Sequence, residues 1–294
     1  MKGSNMKNSK VWIVTGAARG IGLEVTRGVL VSGDTVVAAV RSRPEELKTQ
    51  LNHPNLHVAV LDVTNEAQAR EVAADTMKKL GRIDVLVNNA GHGLLSAVEE
   101  ASDEEVRRNY ETNVFGLLKV MRAVLPHMRK QRSGHIINFS SVGGLVGSAG
   151  WGLYCSTKFA VEGLTESLAK ELEPLGIYAT AVEPGYFRTN FLDGSSLTRT
   201  ENIIADYAET VGKMREHATQ ISYKQPGDPA KLATAVVRLA ASPKPPVHLL
   251  LGNDSLAAYQ TKASSLAKEI ADWHDVITGT DCDDVEKKAL STAS

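Results

Sequence analysis

The chain has 294 residues, with 33 Lys plus Arg against 34 Asp plus Glu and a formal net charge of −1. That balance excludes the basic footprint of a nucleic-acid binder and the polybasic patch of a membrane-surface protein. The two cysteines exclude a disulfide framework or a CxxC metal site, and the length allows one large domain or two small ones.

In chain order, residues 1–9 are expected to be a flexible tail without an apolar stretch of signal-peptide length. No apolar run reaches the roughly 18 residues of a membrane span, so a soluble, cytoplasmic protein is expected. Seven short apolar runs predict strands, starting at Val11, Thr35, His57, Asp84, His135, Ile177 and Val247. Most are continuous rather than alternating, the pattern of strands buried on both faces of a parallel sheet. Helical patterns lie between them, over Gly20–Val31, Glu45–Leu51, Asn65–Leu80, Asp103–Lys130, Gly152–Leu175 and Pro229–Ala241, with Ser102-Asp103 and Asp228-Pro229 as helix starts. This alternation predicts an α/β fold: a doubly wound Rossmann-type parallel sheet of about seven strands, helices on both faces, in a single domain over residues 10–254. Residues 186–225 interrupt the alternation with weak periodicity, and a connection of that length predicts a functional lid. Residues 255–294 read as a C-terminal extension: a helix over Ser255–Trp273, then a polar, acidic tail expected to be disordered.

The first strand runs into Thr15-Gly16-Ala17-Ala18-Arg19-Gly20-Ile21-Gly22, and a helix follows. Strand, glycine turn and helix together face backbone N–H groups toward a pyrophosphate. Glycine is needed where the chain turns tightly and where backbone approaches phosphate. Asp62-Val63 closes the third strand and Asn88-Asn89-Ala90-Gly91 the fourth. Ligands of an open α/β sheet sit at such carboxyl ends, near the switch in strand order. An NAD site places an acid at the end of the second strand to hold the ribose 2′-OH. Here that strand ends Ala38-Ala39-Val40-Arg41-Ser42, and Asp34 lies at the opposite end. Arg19 and Arg41 together suit a 2′-phosphate, which two guanidiniums hold by charge-assisted bonds. The expected cofactor is therefore NADP(H) rather than NAD(H).

Ser141 precedes Tyr154 by thirteen residues and Lys158 follows it by four. Helical spacing puts Tyr154 and Lys158 on one face. A phenol with a pKa of about 10 is a poor base at neutral pH. A nearby ammonium and a cationic nicotinamide would favour its phenolate and tune it for acid–base work on an alcohol or ketone.

With these pieces in order, the chain resembles a short-chain dehydrogenase/reductase of the compact, non-extended type. The resemblance rests on TGAARGIG (15–22), Asp62-Val63, NNAG (88–91), Asn113 in ETNVFG, Ser140-Ser141, YCSTK (154–158) and Pro184-Gly185 with Thr189. It spans about residues 10–190. It implies that Tyr154 exchanges the proton with the carbonyl oxygen, that Lys158 binds the nicotinamide ribose and lowers the Tyr154 pKa, and that Ser141 bonds the substrate oxygen. Asn113 would hold a water linking Lys158 to solvent. Gly16, Ala18, Arg19, Gly20, Ile21, Gly22, Arg41, Asp62, Val63, Asn89, Ala90, Gly91, Pro184, Gly185 and Thr189 would flank the cofactor, along with Tyr154 and Lys158. His92, Trp151, Tyr186, Phe187 and Phe191 are candidate substrate contacts, while Cys155 reads as a small packing residue.

The reaction expected is hydride transfer between the nicotinamide and a secondary alcohol/ketone pair, in the ketoreductase direction. By analogy with relatives that carry a long insertion, the substrate would be bulky and apolar, steroid-like or polyketide-like. A non-catalytic NADP(H)-binding sensor or scaffold is the alternative, and an epimerase or dehydratase the alternative within the family. No metal-ligand pattern is seen. The resemblance implies a homodimer or homotetramer pairing through the Asp103–Lys130 and Gly152–Leu175 helices.

Overall fold

The computed structural model describes residues 9–282. The expected N-terminal tail and the acidic end of the chain therefore lie, but for Ser9 and the residues up to Cys282, outside the described part. In chain order the main elements are β1 Val11–Thr15, α1 Gly20–Val31, β2 Thr35–Val40, α2 Pro44–Leu51, β3 Leu56–Val60, α3 Glu66–Leu80, β4 Val85–Asn88, β5 Gly93–Leu95, α4 Asp103–Tyr110, α5 Leu117–Gln131 and β6 Gly134–Phe139. They continue with α6 Gly152–Leu172, β7 Ile177–Pro184, β8 Leu197–Arg199, α7 Lys213–Ile221, α8 Pro229–Ala241, β9 His248–Leu251, α9 Asn253–Asp272 and α10 His274–Thr278.

Seven strands form one parallel sheet in the order β3-β2-β1-β4-β6-β7-β9. This is the doubly wound Rossmann-type sheet expected. Its central strands are buried on both faces, which is why they read as unbroken apolar runs: all five residues of β1 and all four of β4 are buried. Alternate strand residues feed two cores. Ile13, Leu86 and Ile136 pack with α3, α5 and α6; Val14, Val87 and Phe139 pack with α1 and α8. Chain order reverses between β1 and β4, and that switch places the crevice.

Helix starts differ in a way that matters for the crevice. Asn65, Ser102 and Asp228 each cap their helix, Ser102 through a full capping box with Glu105. The α1 helix begins after Arg19 with no side-chain cap. Its first N–H groups thus have no side chain as acceptor at the rim of the crevice.

Three features depart from the sequence reading. The single helix expected over Asp103–Lys130 is divided by a π-turn, Glu111–Gly116. Gly116 packs there against Val63, and a Cβ on it would lie 2.8 Å from Val63 Cγ2. The helix expected to Leu175 ends at Leu172, and Glu173–Leu175 tightens into a 3₁₀ turn carrying Pro174. Residues 186–225 hold regular structure that weak periodicity concealed. β8 pairs in parallel with β5, Gly93 opposite Leu197, and α7 buries only Ala218. A three-residue strand and a nine-residue helix whose apolar face is Met214, Ala218 and Ile221 leave only a short periodic signal.

Candidate functional site

A cavity of about 1450 Å³ opens at the carboxyl ends of the central strands. Gly16, Val40, Arg41, Asp62, Asn89, Ser141 and Gly185 line it, each at or just beyond a strand end. The glycine turn forms one wall. Gly16 and Gly20 have φ of +66° and +55°, a region that costs other residues strain. Gly22 does not line the cavity. Its role is clearance: a Cβ there would lie 2.3 Å from the Gly16 oxygen and 2.5 Å from Asn89 Nδ2.

Asn89 ties this turn to the next strand. Its Nδ2 donates to Thr15 O at 3.0 Å, and the Asn89 and Ala90 N–H groups donate to Thr15 Oγ1 at 3.0 and 3.1 Å. The Asn89 amide nitrogen is thus committed to backbone, while the residue lines the cavity. Asp62 accepts from Thr64 N and Oγ1 at 2.9 and 2.7 Å. Burial pushes its carboxyl up, but the Thr64 donors and the Arg41 charge outweigh this and hold it below the usual range. Arg19 and Arg41 are both exposed and line the cavity; Arg19 reaches the Ser195 carbonyl across it. Arg41 makes no ion pair among the described residues.

The second constellation stands on α6. Tyr154 and Lys158 lie one turn apart, both buried, with Lys158 Nζ 5.7 Å from the phenol ring centroid. Nζ donates to Phe139 O at 2.8 Å, which draws the lysine beneath the end of β6. Ser141 follows β6, its Oγ accepting from Gly143 N at 3.0 Å, and it lines the cavity together with Tyr154. Burial dominates both ionisable groups. It raises the phenol above its ordinary value despite the lowering influence of Ser141, and lowers the Lys158 ammonium to about 8 despite nearby Glu162. Burial thus outweighs the lowering influence on Tyr154 in the chain on its own. Desolvation disfavours a buried phenolate, and Ser141 is the only influence lowering this pKa.

Asn113 does not line the cavity either. It sits in the π-turn, where Oδ1 accepts from His92 N at 3.0 Å and Nδ2 donates to His92 O and Thr157 Oγ1 at 3.0 and 3.1 Å. The side chain thus clamps the NNAG loop to α6. His92 lines the cavity; burial first, then Arg108 and Lys158, lower its pKa to about 4, so it is neutral at physiological pH.

The apolar end of the cavity is an aromatic cluster. Trp151 and Phe191 flank the Tyr154 ring at centroid distances of 5.7 and 5.9 Å. Leu95, Leu192 and Leu197 complete the cluster, with buried Cys155 packed among them as expected. Tyr186 meets His217 edge-on, whereas Phe187 turns toward the α8 core and only borders the cavity. Sequence reasoning missed Asp254. Its Oδ2 accepts from Tyr186 N at 2.6 Å, and it fits because residue 185 is glycine, where a Cβ would lie 2.2 Å from Asp254 Oδ1. It also missed a buried acidic pair behind Lys158. Glu162 and Glu183 face His248, whose Nδ1 lies 3.4 and 2.8 Å from them, with Glu166 at 3.6 Å from Nε2. Burial and mutual repulsion push Glu183 up to about 7, and its own partners raise His248 against burial. These residues lie on α6, β7 and β9, so no local spacing reveals them.

A family model described as short chain dehydrogenase matches residues 10–200. The oxidoreductase BOA17 of Botryotinia fuckeliana is 35% identical over 271 residues, 91% of this chain and 98% of the relative. A 3-ketodihydrosphingosine reductase of Bacteroides thetaiotaomicron is 36% identical, covering 83% of this chain and 88% of its own. Among solved structures, a short-chain dehydrogenase from Streptomyces avermitilis superposes with a TM-score of 0.86 at 40% identity, over 94% of this chain and 99% of that one. A serine dehydrogenase in complex with NADP+ gives 0.69 at 30% identity, over 82% and 94%. A Burkholderia phymatum structure in complex with NAD gives 0.77 at 22% identity, over 96% and 98%, a likeness of fold.

Proposed function

The chain belongs to the short-chain dehydrogenase family of oxidoreductases, and from that premise we propose that it is an NADP(H)-dependent ketoreductase acting on a bulky apolar carbonyl compound. The carrying observation is Tyr154: a buried phenol lining the same cavity as Ser141, one turn from Lys158 and flanked by Trp151 and Phe191. The residues present fit a dinucleotide phosphate. The uncapped start of α1 and the left-handed glycines offer N–H groups and close approach, and Arg19 and Arg41 supply positive charge where an NAD site needs an acid. The nicotinamide would supply hydride to the carbonyl carbon.

Every other step falls to the chain. Ser141 Oγ positions the carbonyl oxygen. Tyr154, kept protonated by its burial, donates its proton to that oxygen as the carbon is reduced, and the product is the secondary alcohol. The resulting phenolate is stabilised by the Lys158 ammonium, which burial has brought to about 8 and thus within reach of proton exchange near neutral pH. Asn113 acts as a positioning residue, holding the NNAG loop against α6. Residues 186–225 act as the lid, their apolar residues shielding the reacting centre from water. The name of the Bacteroides relative supports a keto substrate.

Consumption of NADPH is measured against ketones graded from small to steroid-sized, beside NADH and beside Tyr154→Phe. Turnover that needs NADPH, grows with apolar bulk and vanishes in the variant is expected. Preference for NADH overturns the cofactor reading. NADPH binding without turnover on the whole panel favours a sensor.

A further inference from the structure

The α9 helix projects from the body. It meets the rest of the described chain at its start, where it packs on β9 and on the Val142–Gly144 turn, and Ser255 Oγ donates to Glu183 O at 2.9 Å. Beyond that first turn nearly every residue is exposed. Yet one stripe is apolar: Leu256, Tyr259, Ala263, Leu266, Ile270 and Trp273. The steps between them are three, four, three, four and three residues, the a/d spacing of a helix that pairs with another helix. The five large side chains are between 43% and 63% exposed. Over about 26 Å of helix this makes a continuous apolar seam, which a soluble monomer rarely leaves open.

We infer that this stripe pairs, antiparallel and about a two-fold axis, with the same stripe of a second copy of the chain. Side-chain sizes favour that occupant and that direction. Antiparallel pairing sets Leu256 opposite Trp273, Tyr259 opposite Ile270 and the small Ala263 opposite Leu266, so each layer is filled. Parallel pairing would stack Ala263 on Ala263 and leave a gap. Charge agrees. The positions flanking the seam are Lys262 and Glu269, and antiparallel pairing brings each to the other's counterpart, twice by symmetry. Lys262 makes no ion pair among the described residues. A lipid surface is a poorer occupant, because the stripe is bordered by charges of both signs, Lys262 with Glu269 and Asp272, where a membrane helix carries basic residues. The pair is a contact additional to any made by α4, α5 and α6.

The test is light scattering of the full chain, 31.6 kDa per copy. The wild type is expected to have an even number of copies, and Leu266→Glu with Ile270→Glu to halve that mass. Both residues are exposed, so an unchanged circular dichroism spectrum is expected to confirm the fold. Lys262→Glu is expected to lower the mass at micromolar concentration, and Lys262→Glu with Glu269→Lys to restore it. A monomeric wild type, or an unchanged mass in the double-glutamate variant, overturns the pairing. Failure of the charge exchange to restore the mass overturns its antiparallel direction.

Discussion

The two walls of the cavity are built by different means. The wall formed by β1, β2 and β4 is made of backbone: two left-handed glycines, an uncapped helix start and strand ends stitched through Thr15 and Asn89. The wall formed by residues 186–225 is made of side chains: Phe191, Leu192 and Leu197 gathered around Tyr154 and Trp151, with short elements between loops. A backbone wall presents the same N–H groups whatever side chains surround it. It suits a ligand portion that never changes, and it leaves little room for substitution. A side-chain wall can be repacked residue by residue, and it suits the portion that sets specificity.

The contrast can be tested from the reacting centre outward. Tyr154→Phe keeps the aromatic cluster and removes the proton donor. Turnover is expected to fall by about 10²–10⁴-fold while NADPH titration, followed by fluorescence, stays near wild type. Gly22→Ala strikes the backbone wall, where no side chain can yield to relieve the contact with Gly16 O. A stability loss of about 1–3 kcal/mol by urea unfolding is expected, with cofactor binding lost alongside. A wild-type stability here would mean that the turn is softer than its geometry implies.

Arg41→Ala leaves the wall standing and removes one charge. Loss of one charge-assisted contact, about 1.5–3 kcal/mol, corresponds to roughly ten- to hundred-fold weaker NADPH binding. NADH binding is expected to change little, and equal losses for both would place Arg41 away from the 2′ position. Phe191→Ala thins the side-chain wall. Its ring pairing with Tyr154 is worth about 1 kcal/mol, so KM is expected to rise several-fold for bulky ketones and hardly at all for small ones. Equal effects on both would remove the distinction between the walls.

The smallest effect concerns pH. Glu183 has a folded pKa raised to about 7, and His248 is raised as well. The folded state therefore holds these protons more tightly than the unfolded chain. Their contribution is complete below the unfolded values and is lost as pH rises through the folded ones. His92 and His135, lowered by burial to about 4 and about 3, act with the opposite sign. Their contribution is present above about 6.5 and is lost as pH falls. Glu183→Gln is expected to flatten the fall in Tm between about pH 4.5 and 7 by a few degrees. A slope identical to wild type would show that another group carries it.

The same division explains what could be read from the amino-acid sequence. The backbone wall was legible because its demands are local. Tight turns need Gly16 and Gly20, buried central strands give unbroken apolar runs, and Tyr154 and Lys158 meet by helical spacing. The roles inside it were less legible. Gly22 and Asn113 carry the family's pattern, yet they act through clearance and clamping and do not line the cavity. The side-chain wall was legible in part: Trp151 and Phe191 were named, whereas Leu197 was not. The β5–β8 pair joins residues about a hundred positions apart, and α7 buries a single alanine. Asp254 and the Glu162–Glu183–His248 group lie on separate elements that only the folded sheet brings together.

The π-turn at Glu111–Gly116 carries a final consequence. It contains one residue more than a regular helix needs over that span. Deleting that residue would let α4 and α5 merge into an ordinary helix, with every carbonyl in step. The same deletion would rotate Asn113 by about 100° around the helix axis and break its three bonds to His92 and Thr157. A shorter chain would thus gain a better helix while freeing the loop beside Tyr154.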